Sequence, residues 1–300
     1  MSMTRLMSKT ELMMRLDLAS SKDEKLAFLV SNNMIECESS HVVSGIVTSD
    51  GCIMFFNTDG EETEAPDQFM FADYVAGLDI HEVKLPASMS SVPEHFMYKF
   101  KNLEKVYIPD TVKQICIAAF AYCTNLRHVR IPDTCKLNAT AFYKCSSLES
   151  IELPKSLKSL PDTTFMYASS LKSVDIPDNV EIIGRRAFLN CESLKSISLS
   201  SSLKFITEEA FYNCTSLKEV KLPDGLVLID KRAFAGCTSL EEITIPKSVK
   251  SIVDRAFENC TSLRKVRLSR DLLDKLRACS GMSWTGCRIG CPCNIDFECI

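Results

Sequence analysis

Residues 194–262 read LKSISLSSSLKFITEEAFYNCTS, LKEVKLPDGLVLIDKRAFAGCTS and LEEITIPKSVKSIVDRAFENCTS, three passes through one 23-residue unit. Written as L-x-x-V/I-x-I/L-P-x-x-V/L-x-x-I-x-x-x-A-F-x-x-C-x-x, the unit begins at Ile80, Leu103, Leu126, Leu148, Leu171, Leu194, Leu217 and Leu240, with a partial ninth copy at Leu263. A fixed period in the range of roughly 20–29 residues builds a solenoid, because each short unit buries its apolar face only against its neighbours in the stack. Such a chain offers an extended surface instead of a closed pocket.

Each position in the unit has a physical job. Residues three to six of a copy, as in Ser173-Val174-Asp175-Ile176, alternate outward and inward and predict one short parallel strand. Proline follows at Pro109, Pro132, Pro154, Pro177, Pro223 and Pro246, and its missing N–H ends the ladder. Thr111, Thr134, Ser156, Asn179, Ser202 and Ser248 recur two residues later and are placed to hydrogen-bond the backbone of the turn. The Ala-Phe pair, as in Ala210-Phe211, is expected on a short helical turn with its ring in an inner spine. The first copy carries Met97 and Phe100 where later copies have Phe and Cys, the third is one residue short, and the sixth has Ser200 in place of proline.

Three regions follow from this pattern. Residues 1–79 precede the array, 80–270 form it, and 271–300 are a Cys-rich cap or tail. The first region predicts a helical hairpin over residues 5–33, with capping boxes at Ser8-x-x-Glu11 and Ser21-x-x-Glu24. It continues into a β-hairpin around Asp50-Gly51 and an acidic loop from Glu61 to Asp67. Its expected role is to cover the first coil's core, which an open stack would leave wet.

The net charge of −4 hides an asymmetry. Residues 1–79 carry 5 Lys/Arg against 14 Asp/Glu, and the remainder carries 30 against 25. The acidic head argues against nucleic acid or anionic membrane as a partner. No stretch approaches the roughly 18 apolar residues of a membrane span. The first 20 residues lack the pattern of a secretory signal, so a reducing cytoplasmic location with free thiols is expected.

The unit resembles the BspA-like, treponemal-type class of leucine-rich repeats over about residues 80 to 270. The resemblance implies an α/β solenoid, a right-handed leucine-rich-repeat superhelix with a parallel β-sheet on its concave face, here with a small α+β N-terminal cap. It also implies a role in binding proteins or cells. Many such proteins act at the cell surface, so the alternative is a cell-surface adhesin-like protein exported by a non-classical route.

The outward strand positions make the candidate partner-binding face. Its first copies bring together Lys84, Lys105, Tyr107, His128 and Arg130, followed by Glu152 and Asp175. Tyrosine and arginine are the residue types that most often anchor interfaces, although Lys, Glu and Ser also belong on any solvated strand face. The cysteine ladder Cys123, Cys145, Cys191, Cys214, Cys237 and Cys260 reads as buried thiols, because a one-dimensional stack does not converge four ligands on one point. Cys279, Cys287, Cys291, Cys293 and Cys299 lie outside the unit, and a zinc site there is an alternative. Trp284 is expected to cover the last coil. No glycine-rich phosphate loop, zinc-protease motif or nucleophile elbow occurs, and the four histidines lack ligand spacing. The expectation is a monomeric, non-enzymatic scaffold for a protein partner, without a cofactor.

Overall fold

Alternation and punctuation together explain the architecture. In the computed structural model, residues 35–36, 44–47, 53–56, 62–63, 81–85, 89–278 and 295–300 are described. Three-residue strands recur once per copy at Glu82–Lys84, Lys105–Tyr107, His128–Arg130, Ser150–Glu152, Ser173–Asp175, Ser196–Ser198 and Glu242–Thr244. From Lys105–Tyr107 onward the burial along each is out-in-out. Where neighbouring strands pair, they do so in parallel and in register, as in Ser173↔Ser196, Val174↔Ile197 and Asp175↔Ser198. The seventh copy keeps the same alternation at Glu219-Val220-Lys221 without forming strand. A second parallel ladder of two-residue strands runs along another side of each coil, for example Ile182↔Phe205 and Ile183↔Ile206. The result is a parallel-strand solenoid of about eight turns.

The interior is one continuous core. The leucine that opens each copy from Leu103 to Leu263 is fully buried. Phe120, Phe142, Phe165, Phe188, Phe211, Phe234 and Phe257 form a spine with successive ring centroids 5.1 to 5.9 Å apart, all stacked. Met97 holds the equivalent place in the first coil, fully buried.

The Ala-Phe segment is not helical. It runs as linked turns in which alternate N–H groups look in different directions. Ala210 and Tyr212 donate three residues back to Thr207 and Glu209, whereas Glu209, Phe211 and Asn213 donate to Lys231, Ala233 and Ala235 of the next coil. A helix would keep all of these bonds inside one segment. Sharing them across coils requires left-handed backbone on either side of the pair, seen at Glu209 (φ 57°) and Asn213 (φ 57°) and repeated in each coil. The turn-forming side chains also act between coils: Ser248 Oγ donates to the Leu226 carbonyl at 2.7 Å and Asn179 Nδ2 to that of Lys155 at 3.3 Å. Ser200, which stands in for proline, donates to the Asp178 carbonyl at 2.8 Å.

The end of the array carries elements that the repeat pattern does not specify. Ser269 caps a helix, Arg270–Ala278, with its Oγ accepting from Leu272 N at 3.3 Å, and Leu272, Leu273 and Leu276 turn onto the core. Strand Asp296–Cys299 then joins Lys265–Leu268 in parallel, so the sheet gains a strand from beyond the repeats. Ahead of the array, Ser44–Val47 pairs antiparallel with Ile53–Phe56. Glu62 and Thr63, expected in a loop, instead pair with Phe56 and Phe55. The helical hairpin expected over residues 5–33, Trp284, Cys279, Cys287, Cys291 and Cys293 lie outside the described residues.

Candidate interaction face

The strand ladder positions the predicted residues because every second side chain must leave the core. Lys84 aligns with Tyr107, and Lys105 aligns with His128, on adjacent coils. Glu152 aligns with Arg130. Tyr107 is 49% exposed, which sets it apart on a sheet whose other outward residues are polar. Asp175 sits one coil beyond Glu152, on Ser173–Asp175. Of Lys84 only the backbone is described.

Local pairing divides this set. Arg130 Nη1 lies 3.0 Å from Asp110 Oδ1, an exposed pair that positions the guanidinium with little gain in stability. His128 Nδ1 lies 2.7 Å from Ser150 Oγ on the next strand. Among the described residues no carboxylate is bonded to the other ring nitrogen, so the serine–histidine contact lacks the orienting acid of a hydrolytic triad. Beside these strands Glu149 takes Lys172 and Arg127, and the Lys172 ammonium bonded to it holds the Glu149 carboxyl below the usual range.

Arg130, Glu152 and Asp175 line a trough of about 620 Å³ together with Asp133, Lys155 and Asp178. The last three sit on the post-proline loops, which the strand-based reading had left out. Their signal was present in the sequence as charged residues next to each proline. Lys155 bonds Asp133 at 3.1 Å and holds that carboxyl below its ordinary range. Lys105, Tyr107 and His128 do not line the trough, so the expected cluster is an elongated ribbon with a depression at one end. A second trough of about 840 Å³ crosses coils six to eight, from Ser196 past Lys221 and Thr244 to Ile300. At the far end Glu298 takes both Lys265 (2.8 Å) and Arg267 (2.9 Å), so those two cations are already paired within the chain.

Behind the face, the cysteine ladder is fully buried. Burial pushes the thiols of Cys123, Cys145, Cys191, Cys214 and Cys237 far above the ordinary thiol range. The nine described cysteines are all free thiols. Among the described residues no group of three or more His, Cys, Asp or Glu side chains is arranged to hold a metal ion. No described helix is long and apolar enough to cross a membrane.

The profile of the BspA type leucine-rich repeat region matches residues 71–169 and 158–277, as six copies. No curated protein matches the chain. Among solved structures, the Treponema pallidum leucine-rich repeat protein is 23% identical, with 82% of this chain and 96% of that one covered at a TM-score of 0.46. A leucine-rich cell surface protein of Faecalibacterium prausnitzii is 19% identical, covering 88% and 94% at a TM-score of 0.37. The pneumococcal vaccine antigen PcpA is 24% identical, covering 63% and 56% at a TM-score of 0.43.

Proposed function

The chain belongs to the BspA-type leucine-rich repeat family, and on that footing we propose that it is a non-catalytic scaffold binding a protein partner through its three-residue-strand face. Repeat arrays of this kind suggest interaction scaffolds, since they present broad rigid surfaces in place of a reaction centre. The observation that carries the finer reading is the recurrence of exposed residues in register on consecutive coils, with Tyr107 as the apolar anchor among Lys105, His128 and Arg130. Glu152 and Asp175 reverse the charge one and two coils later, so the ribbon is bipolar and sets an orientation for its partner. A rigid sheet also orders few side chains on association, which lowers the entropic cost of binding.

The test uses the full chain as bait beside the Tyr107→Ala, Arg130→Glu variant. A partner retained by the parent and lost by the variant, with an unchanged unfolding midpoint, supports the strand face. A partner held equally by both places the site elsewhere. Fractionation with surface protease treatment of intact cells separates a cytoplasmic scaffold from a surface protein of the same fold.

A further inference from the structure

A different edge of the solenoid carries an aromatic feature that the strand-face reading does not use. Tyr98, Tyr122, Tyr143 and Tyr167 come one from each of the first four coils, just after the spine position. They form a half-buried file with centroids 5.3, 5.3 and 6.0 Å apart, every pair edge to face. The Lys144 ammonium stands over three of these rings, 5.1 Å from Tyr122, 5.5 Å from Tyr143 and 5.3 Å from Tyr167. Lys99 stands 4.9 Å over Tyr98.

The same edge is built differently in later coils. There Arg185 pairs with Glu208 at 3.0 Å, Arg186 with Glu209 at 2.6 Å, and Arg232 with Glu258 at 3.4 Å, so charge is compensated within the chain. Among the described residues, neither Lys99 nor Lys144 has a carboxylate partner; each is met only by aromatic rings. A cation held against ring faces is partly desolvated and fixed in place while its charge stays uncompensated.

We propose that this tyrosine edge of coils one to four is a second interaction surface, and that it takes an extended acidic segment of a protein partner. Neighbouring ring edges and the lysines occupy the ring faces, so no flat platform is left for stacking nucleobases or sugar rings. Phenol hydroxyls remain, those of Tyr143 and Tyr122 hydrogen-bonded to each other, beside two ammonium groups that have no carboxylate among the described residues. Carboxylates accept from both kinds of donor. The two lysines are two coils apart, about 10 Å along the stack, while alternate side chains of an extended peptide repeat at about 7 Å. Glutamates on one side of such a peptide reach both.

The experiment measures binding of a fluorescent peptide of alternating glutamate and glycine to the full chain at low and moderate salt, with the matching lysine peptide and sulfated dextran as probes of the other chemistries. The acidic peptide is expected to bind, and Lys99→Gln with Lys144→Gln to weaken it about tenfold. Tyr143→Phe, which keeps the ring and removes the hydroxyl, weakens it further. Lys218→Gln with Lys250→Gln removes equal charge elsewhere and leaves binding unchanged. The strand-face variant Tyr107→Ala, Arg130→Glu also leaves it unchanged, so the two surfaces fail separately. If Lys144→Gln unfolds the chain, Lys99→Gln alone decides, with a severalfold loss expected. Equal weakening by the distant pair, no effect of Lys99→Gln, or binding of sulfated dextran without the acidic peptide overturns the proposal.

Discussion

The Cys214 thiol donates to the carbonyl oxygen of Phe188 in the preceding coil, at 3.2 Å. The Phe188 oxygen already accepts from Cys191 N at 3.1 Å, so the thiol fills its second acceptor position in a fully apolar setting. The same rung recurs from Cys191 to Phe165, Cys237 to Phe211 and Cys260 to Phe234, at 3.1 to 3.2 Å. The fourth coil has Ala168 at the ladder position, fully buried. Ala168→Cys should restore the missing rung onto Phe142 and raise stability by about 0.5–1 kcal/mol. Cys214→Ala should cost about 1–2 kcal/mol. Denaturant midpoints read both, and a lower midpoint for Ala168→Cys would show that the coil has no room for the sulfur.

Backbone handedness makes a second prediction. Asn213 holds φ at 57° and Gly236 at 74° on successive coils, and a Cβ on Gly236 would lie 2.0 Å from Asn213 Oδ1. Asn213→Val should cost about 1–2 kcal/mol or more, because a β-branched residue resists the left-handed region. Asn213→Gly removes that steric demand at a small entropic cost. Gly236→Ala should be less damaging beside Asn213→Gly than alone, since the colliding amide is then gone. A double-mutant cycle measures this coupling, and strict additivity would contradict the contact.

Acid should release the terminal strand before the array. Lys265 and Arg267 bonded to Glu298 hold its carboxyl below the ordinary carboxylate range. A depressed folded-state pKa means stability that is present above the unfolded value, near about 4.3, and lost as pH falls through the folded one. The protection factors for hydrogen exchange at Asp296 and Ile300, which donate to Arg264 and Leu268, should therefore fall on acidification. Glu298→Gln should abolish that pH dependence. A strand equally protected at both pH values would mean that the ion pairs do not hold it.

The aromatic spine gives the largest expected loss. Phe211 stacks on Phe188 at 5.2 Å and on Phe234 at 5.1 Å and is fully buried. Phe211→Ala should cost about 3–5 kcal/mol, the transfer of a ring plus the cavity left between two others. Calorimetry or urea titration of the variant checks this. A loss below about 1 kcal/mol would mean that the coils close over the gap.

Particular residues separate what was legible in advance from what was not. The strand face followed from an alternation of two, since a side chain's side of the sheet depends on its parity. The leucine wall and the inward Phe257 followed instead from apolar residues recurring once per 23-residue unit. Ser269, with Leu272, Leu273 and Leu276 at helical spacing after it, marked the closing helix and was readable but overlooked. The turns around Ala210 and Phe211 were misread as helical because an A-F pair carries no record of where its N–H groups point. Lys144 gave no signal at all: Tyr122, Tyr143 and Tyr167 are 21 to 24 residues apart in the sequence and meet only through stacking.

Repetition in the amino-acid order was enough to specify the coil, its buried side and its exposed ribbon, because each coil solves the same local problem of burying one apolar stripe. Partner choice between coils was not written in any single copy. Which carbonyl takes a thiol, which carboxylate neutralises Arg186 and which lysine is left facing only tyrosines all depend on contacts about 23 residues apart. Those contacts exist only after stacking brings equivalent positions within about 5 Å of each other.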